Sequence, residues 1–404
     1  MGIWEQPNTA RFLTAAYGPT LLASFGYGAA IPMIAIQAKE LGAALGVAAF
    51  VSALTGVGQL VADLPAGVIA DRFGERRSLL AACLVDAVVL GAAFWVRELW
   101  LFAVLVFIHG CSGAVFALAR QTYLTVAVPL RYRARAMSSL GGVFRIGNVL
   151  GPLAGAAITA AYDINYAFAL AAVMSLLAAV VTLFMPDLPP NITTVVGADG
   201  VEHSQSMWRI LYQHRRAFIS LGLAMLTLSL IRAARQTILP LWCDQHGFTT
   251  STTNLIYAAS MAPDVALFFP GGLIMDRLGR FWVTVPTMFA MSLGFLMLPL
   301  ARSLLPIIAV AVWLGISNGV SAGIFVTVGA DLSPTVGRAQ FLSGWRVFGD
   351  IGTALGPGVI SLVTLFAPLS VAALALGVIG IAGGLRFVTQ MPHRGALPPS
   401  VPQP

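Results

Sequence analysis

One lysine, Lys39, stands in 404 residues, and Ala38 precedes it, so the chain has no Gly-Lys-Ser/Thr phosphate loop with which to hydrolyse a nucleotide. Cysteine is nearly as scarce. Cys83, Cys111 and Cys243 are scattered, and their spacing gives neither a disulfide framework nor a metal-ligand set. The five histidines, His109, His203, His214, His246 and His393, form no His-Glu-x-x-His site and no catalytic triad with a nucleophile elbow. An enzyme is not expected, nor is any cofactor or metal. Charged residues make up 10% of the sequence, against about 25% in a soluble domain. Water is therefore not the main solvent of this chain.

Hydrophobic residues, at 58%, fill the space the charges leave. A helix needs about 20 apolar residues to cross a hydrocarbon core. Such runs fall at 12–36, 43–69, 78–96, 100–128, 136–161 and 164–185, then at 217–243, 253–275, 282–301, 304–330, 340–364 and 368–390. Unpaired backbone groups are so costly in lipid that spans of this length read as helices and not as barrel strands. The expected fold is all-α, with twelve transmembrane helices in two six-helix bundles, 1–185 and 216–390. A polar cytoplasmic linker, 186–215, joins them, and a proline-rich tail, 391–404, is expected to be disordered. The first apolar run is too long for a cleavable signal and flows into the rest of the chain.

Arginine sets the orientation. The loops on one side carry Lys39, Arg97 and Arg302, while the other side carries fourteen arginines, among them Arg72, Arg76, Arg77, Arg133, Arg215, Arg277, Arg280 and Arg338. The positive-inside rule puts that second side, with both termini and the linker, in the cytoplasm. The net charge of +7 follows from this bias. It calls for no nucleic-acid partner and predicts attraction to anionic lipid headgroups. Trp95, Trp100 and Trp242 near the outer boundary, with Trp208 and Trp282 near the inner one, are expected to anchor the chain at the interfaces.

The chain also repeats itself. Pro65-Ala-Gly67-Val-Ile-Ala-Asp71-Arg72-Phe-Gly74 returns 205 residues later as Pro270-Gly-Gly272-Leu-Ile-Met-Asp276-Arg277-Leu-Gly279. At the same offset Arg133 matches Arg338, Gly147 matches Gly352, and Gly151-Pro152 matches Gly356-Pro357. A register held without insertion indicates a duplicated unit. In Gly67 and Gly74, and in Gly272 and Gly279, the missing side chains predict a tight reversal between helices and close approach of neighbouring backbones. Glycines four apart in the fifth and eleventh spans predict close helix packing, and Pro152 and Pro357 predict bends.

Twelve spans in two parallel repeats, with Gly-x-x-x-Asp-Arg-x-Gly after the second span of each half, resemble the major facilitator superfamily, in particular its twelve-helix drug:proton antiporters. The resemblance covers the whole chain apart from the tails. It implies secondary transport by alternating access, and a cytoplasmic gate in which Asp71, Arg72 and Arg76, with Asp276, Arg277, Arg280 and Asp331, latch the halves in the outward-facing state. Arg280 and Asp331 are expected to pair. The first half has Val126 where the second has Asp331, and Glu75 at a usually basic place, so the two latches are expected to be unequal. The segment from Gly147 to Gly155 resembles the fifth-helix motif associated with antiporters, although Gly352, Gly356 and Pro357 repeat part of it.

Ionisable groups inside spans are costly and ask for named partners. Counted at about 1.5 Å per residue from their landmarks, Asp264, Arg145 and Asp350 share a depth near the middle of the bilayer, and Asp63 and Arg346 lie lower. The resemblance places helix five beside helix eight and helix two beside helix eleven. Arg145 is thus expected to face Asp264, Asp350 to face Gln59, and Asp63 to face Arg346, which also reaches Asp350 one turn away. Such pairs either couple protons to movement of the halves or are permanent structural pairs. The resemblance has helices one, four, seven and ten line the cavity, so Tyr27, Arg120, Gln121, Arg232, Arg235 and Gln236 are candidate solute contacts. Asp86 is the alternative partner for Arg120, and His109 is expected to be a satisfied core residue. The expected protein is a monomeric, multi-pass cytoplasmic-membrane transporter of small amphipathic organic solutes, most simply a proton-coupled exporter. A proton-coupled importer of a small organic anion and a non-transporting receptor or scaffold are the alternatives.

Overall fold

The computed structural model describes residues 9–128, 130–186, 212–321, 323–334 and 338–391. Most of the expected linker and nearly all of the expected tail lie outside the described residues, as does Trp208. Among the described residues twelve helical spans are long and apolar enough to cross a membrane, and there is no strand. The first six are α1 (Thr9–Glu40), α2 (Leu45–Phe73), α3 (Glu75–Trp95), α4 (Leu99–Ala127), α5 (Leu130–Ala161) and α6 (Asn165–Leu183). The second six are α7 (Leu223–Gln245), α8 (Thr250–Leu278), α9 (Phe281–Met297), α10, α11 (Arg338–Thr364) and α12 (Leu369–Gln390). α10 runs as two segments, Leu304–Val320 and Ile324–Leu332. Its break falls where Gly319 and Gly323 flank Ser321, a stretch with little side chain to stiffen the backbone.

Helix pairing repeats six helices on. α1 packs on α5 and α6, α2 on α4, and α3 on α6; α7 packs on α11 and α12, α8 on α10, and α9 on α12. Glycines make the tightest of these contacts. A Cβ on Gly147 would meet Ser24 Oγ at 1.9 Å and one on Gly151 would meet Phe25 O at 2.2 Å, both on α1. The repeat partners Gly352 and Gly356 would meet Leu226 O and Leu230 O of α7 at 2.4 and 2.5 Å. Close backbone approach thus holds α5 on α1 and α11 on α7, and both helices continue through Pro152 and Pro357.

The loop-motif glycines divide by role. Gly74 (φ +82°) and Gly279 (φ +95°) adopt the left-handed backbone between α2 and α3 and between α8 and α9, a conformation that strains any residue with a Cβ. Gly67 and Gly272 do not make the expected close approach. A Cβ on Gly67 would come no nearer than 3.9 Å to Leu118, and one on Gly272 would meet nothing within 4 Å.

Apolar side chains cover the outside, as a lipid solvent requires: Val88, Phe269 and Phe366 are among the most exposed. Trp95, Trp100 and Trp282 are exposed too, but Trp242 is buried and donates Nε1–H to Ala301 O at 2.7 Å. Its depth suits an anchor, yet its side chain points inward. Arg386 bonds Ser220 O at 3.1 Å and Ile219 O, carbonyls of the π-helical turn Phe218–Gly222 that leads into α7. Such a turn ties its carbonyls less regularly than an α-helix does, and the guanidinium satisfies them.

The two halves meet along α2 with α11 and α5 with α8. At the end of the helices away from the Gly74 and Gly279 turns the seam is closed. There Lys39 pairs with Asp244, Ser251 Oγ donates to Ala156 O at 2.8 Å, and Asn254 Nδ2 donates to Thr159 Oγ1 at 3.4 Å. Gly56 lies against the α11 backbone, where a Cβ would meet Ala354 Cα at 2.7 Å. Towards the turn end, the deepest cross-half contacts found among the described residues are Asp63 with Arg346 and Arg145 over Phe268. Among the described residues the cross-half hydrogen bonds gather on the arginine-poor face.

Candidate functional site

Two cavities adjoin at the centre and share Tyr27 of α1 and Phe144 of α5 as walls. The first, about 720 Å³ with its open mouth, lies among the N-terminal helices against Phe116, Ala117, Arg120 and Gln59. The second, about 800 Å³, lies between α5 and helices α7, α8 and α10, against Arg145, Asn148, Arg232, Arg235, Gln236, Asp264 and Asn318. Gln121 is exposed and lines neither.

Arg145 and Asp264 line the same cavity but are not paired. Asp264 Oδ2 accepts from Arg235 Nη2 at 2.9 Å and from Asn318 Nδ2 at 2.8 Å, all within the second half. Arg235, 2% exposed, also donates to Ser260 O and Oγ at 3.3 and 3.1 Å. Arg235 is thus locked into its own bundle and is not a free solute contact. Depth was read correctly here, but Arg235 approaches Asp264 from an adjacent helix of the same half and takes the carboxylate. Arg145 instead donates to Gly141 O at 3.1 Å and stacks over Phe268 of α8, 4.2 Å from the ring centroid. It still crosses the seam, through an aromatic face instead of an acid. Arg232 donates to Ser321 O and Oγ, both at 2.7 Å, and so holds the break in α10.

Asp350 does not face Gln59 either. Arg346 Nη2 lies 3.4 Å from Asp63 Oδ1 across the seam, and Arg346 Nε lies 3.6 Å from Asp350 Oδ2 on its own helix. Two carboxylates therefore flank one guanidinium. Asp63 Oδ2 and Asp350 Oδ2 are both buried without a hydrogen bond. Gln59, one turn above Asp63, turns to the cavities.

His109, expected to be a satisfied core residue, and Asp86, the alternative partner for Arg120, meet each other. His109 Nδ1 and Asp86 Oδ1 are 2.6 Å apart, and Ser112 Oγ and Ser175 Oγ donate to the same carboxylate at 2.9 and 2.8 Å. His109 Nε2 is buried with no hydrogen bond, and the cluster lines the first cavity. Asp86 is therefore taken, and Arg120 lies over the rings of Phe116 and Phe144 at 5.4 and 5.5 Å. The signal was present in the sequence, since His109 and Ser112 stand at i and i+3 on one helix face.

At the loop motifs, Arg280 Nε bonds Asp331 Oδ2 at 2.9 Å and reaches Asp276 at 3.9 Å. In the first half Arg76 bonds Thr182 O and Leu183 O at 3.3 and 2.6 Å, at the C-terminal end of α6. Asp276 is 73% exposed, and Arg72 and Arg277 are exposed. The side chain of Asp71 lies outside the described residues.

A duplicated twelve-helix membrane fold, closed on one face around a polar central cavity, defines a class of multi-pass carrier proteins. A model of the Major Facilitator Superfamily matches residues 19–335 and 221–403, and the chain belongs to that family. Over 166 residues it is 29% identical to "Multidrug resistance protein MdtG" of Salmonella heidelberg (strain SL476), and 28% identical to the protein of that name from Salmonella arizonae. Each match covers 40% of this chain and 41% of the relative, so less than half of those relatives' length is matched. Among solved structures, a POT family transporter in complex with 5-aminolevulinic acid superimposes with TM-score 0.77 at 14% identity, covering 96% of this chain and 97% of the other. A D-xylose-proton symporter gives 0.75 at 14%, covering 95% and 98%. At such identities the likeness is one of fold.

Proposed function

We propose that this chain is a secondary transporter of the cytoplasmic membrane that exports small amphipathic organic solutes by alternating access, driven by protons. One observation carries the reading: the halves are bonded together on the arginine-poor face, and a buried charge cluster, Asp63–Arg346–Asp350, spans their seam towards the other. The positive-inside rule makes the arginine-rich face cytoplasmic, with both termini there. A proton on either carboxylate leaves one anion facing one guanidinium and removes the competition for Arg346. Loading therefore biases the seam on which the two halves hinge. Asp264, bonded within one half, positions Arg235 and is not part of that seam. Export is supported by the name of the partial relative and by the glycine-packed fifth helix. A monomer suffices, since the cavity is complete within one chain.

The test is flux in proteoliposomes. Wild type is expected to accumulate 2-naphthoate against its gradient when a pH difference is imposed. Asp350→Asn is expected to lower that accumulation by about tenfold or more while leaving downhill counterflow within about twofold. Undiminished gradient-driven accumulation in Asp350→Asn contradicts the coupling role.

A further inference from the structure

The polar cavity holds three guanidiniums, Arg145, Arg232 and Arg235, and among its described lining residues a single carboxylate, Asp264. Arg235 claims that carboxylate at 2.9 Å. The other two cations are left with neutral partners: Arg145 has its own helix's Gly141 O and the Phe268 ring, and Arg232 has Ser321. Arg232 Nε is buried with no acceptor. Asp264 feels both guanidiniums across the cavity but contacts neither, and an anion that reaches both relieves the cost of holding them at membrane depth through charge-assisted hydrogen bonds. The adjoining cavity has one apolar side, made by Phe116, Ala117, Phe144 and Tyr27, while its Asp86 is bonded to His109, Ser112 and Ser175; Tyr27 and Phe144 continue into the polar cavity.

We propose that the combined cavity binds amphipathic organic monoanions, with the carboxylate between Arg145 and Arg232 and the apolar body against Phe116, Phe144 and Tyr27. Arg145 belongs to the first half and Arg232 to the second, so a bound carboxylate is shared across the seam. Its charge ties the solute to the relative position of the halves. A cationic solute of the same shape meets two guanidiniums with no acid in contact and is rejected. This assignment rests on the central cavity being the solute path, and it replaces Arg235, which holds Asp264, with Arg145, which has no acid in direct contact.

Equilibrium binding to the full-length chain in phosphatidylcholine nanodiscs, which offer no anionic lipid, tests it separately from flux. The probes are three isosteres: 2-naphthoate, 2-naphthylmethanol and 2-naphthylmethylammonium. Naphthoate is expected to bind at least about tenfold more tightly than the ammonium, and Arg145→Gln and Arg232→Gln are each expected to weaken naphthoate by about 10- to 100-fold. Naphthylmethanol, expected to change by less than about twofold in both variants, reports that the cavity is still folded. Arg232→Lys keeps the charge and should retain the preference for the anion. Arg302→Gln, at an exposed loop position, should bind as wild type does. Preference for the ammonium, unchanged naphthoate affinity in both glutamine variants, or binding of none of the three overturns the proposal. Loss of proton-driven flux in Asp350→Asn with naphthoate selectivity intact leaves this proposal standing, and loss of selectivity with flux intact leaves the coupling reading standing.

Discussion

Asp264→Ala is expected to destabilise the protein by about 3 kcal/mol or more, because it leaves Arg235 buried and without its counter-charge. Arg235 is 2% exposed and Asp264 7%, so little solvent touches the pair. The same substitution orphans the Asn318 amide, which now donates to Asp264 Oδ2 at 2.8 Å. The cost lies in the unpaired charge, so the reverse experiment is informative. Arg235→Met combined with Asp264→Leu removes both charges, and is expected to recover most of the loss. Equilibrium unfolding in mixed dodecyl sulfate micelles measures both variants against wild type. A loss below about 1 kcal/mol in Asp264→Ala would show that the site is wet or rearranges freely.

Gly56→Val is expected to act on the balance between conformations. A Cβ at residue 56 would meet Ala354 Cα and N at 2.7 and 2.8 Å, in the opposite half, where backbone cannot yield as a flexible side chain can. Overpacking of this kind costs about 1–3 kcal/mol, and it is charged only to the state in which α2 and α11 close. The closed arginine-poor face should therefore lose population by about 10- to 100-fold relative to the alternative. Spin-label distances across that face would lengthen. An unchanged distance distribution would show that this contact does not limit closure.

Much of the fold was legible because it depends on quantities a sequence carries directly. Span length and arginine placement follow from hydropathy and charge, and the duplication follows from a fixed register. The repeated helix pairings from α1–α5 to α7–α11 are its physical expression. Depth was legible too. Counting the helical rise, together with the helix neighbours that the resemblance implies, brings Asp63 to Arg346 and Asp264 to the same cavity as Arg145. Azimuth was not legible. Rise along a helix does not tell which neighbour a side chain turns towards, so Arg235 took Asp264, Trp242 turned inward, and Asp86 met His109 and two serines instead of Arg120. Glycine shows the same divide. The positive φ of Gly74 and Gly279 follows from a local motif, whereas the crossing at Gly56 depends on the docking of two distant helices.

The account turns on two halves that close alternately at opposite faces. Electron–electron double resonance on a background with Cys83, Cys111 and Cys243 replaced tests it most directly. One pair of labels at Phe73→Cys and Leu278→Cys reports the arginine-rich face, and another at Tyr162→Cys and Leu305→Cys reports the opposite face; all four positions are exposed. The account predicts reciprocal change: between about pH 8 and about pH 5.5, or on Gly56→Val, one distance shortens as the other lengthens. Two distances that stay fixed, or that lengthen and shorten together, would contradict it.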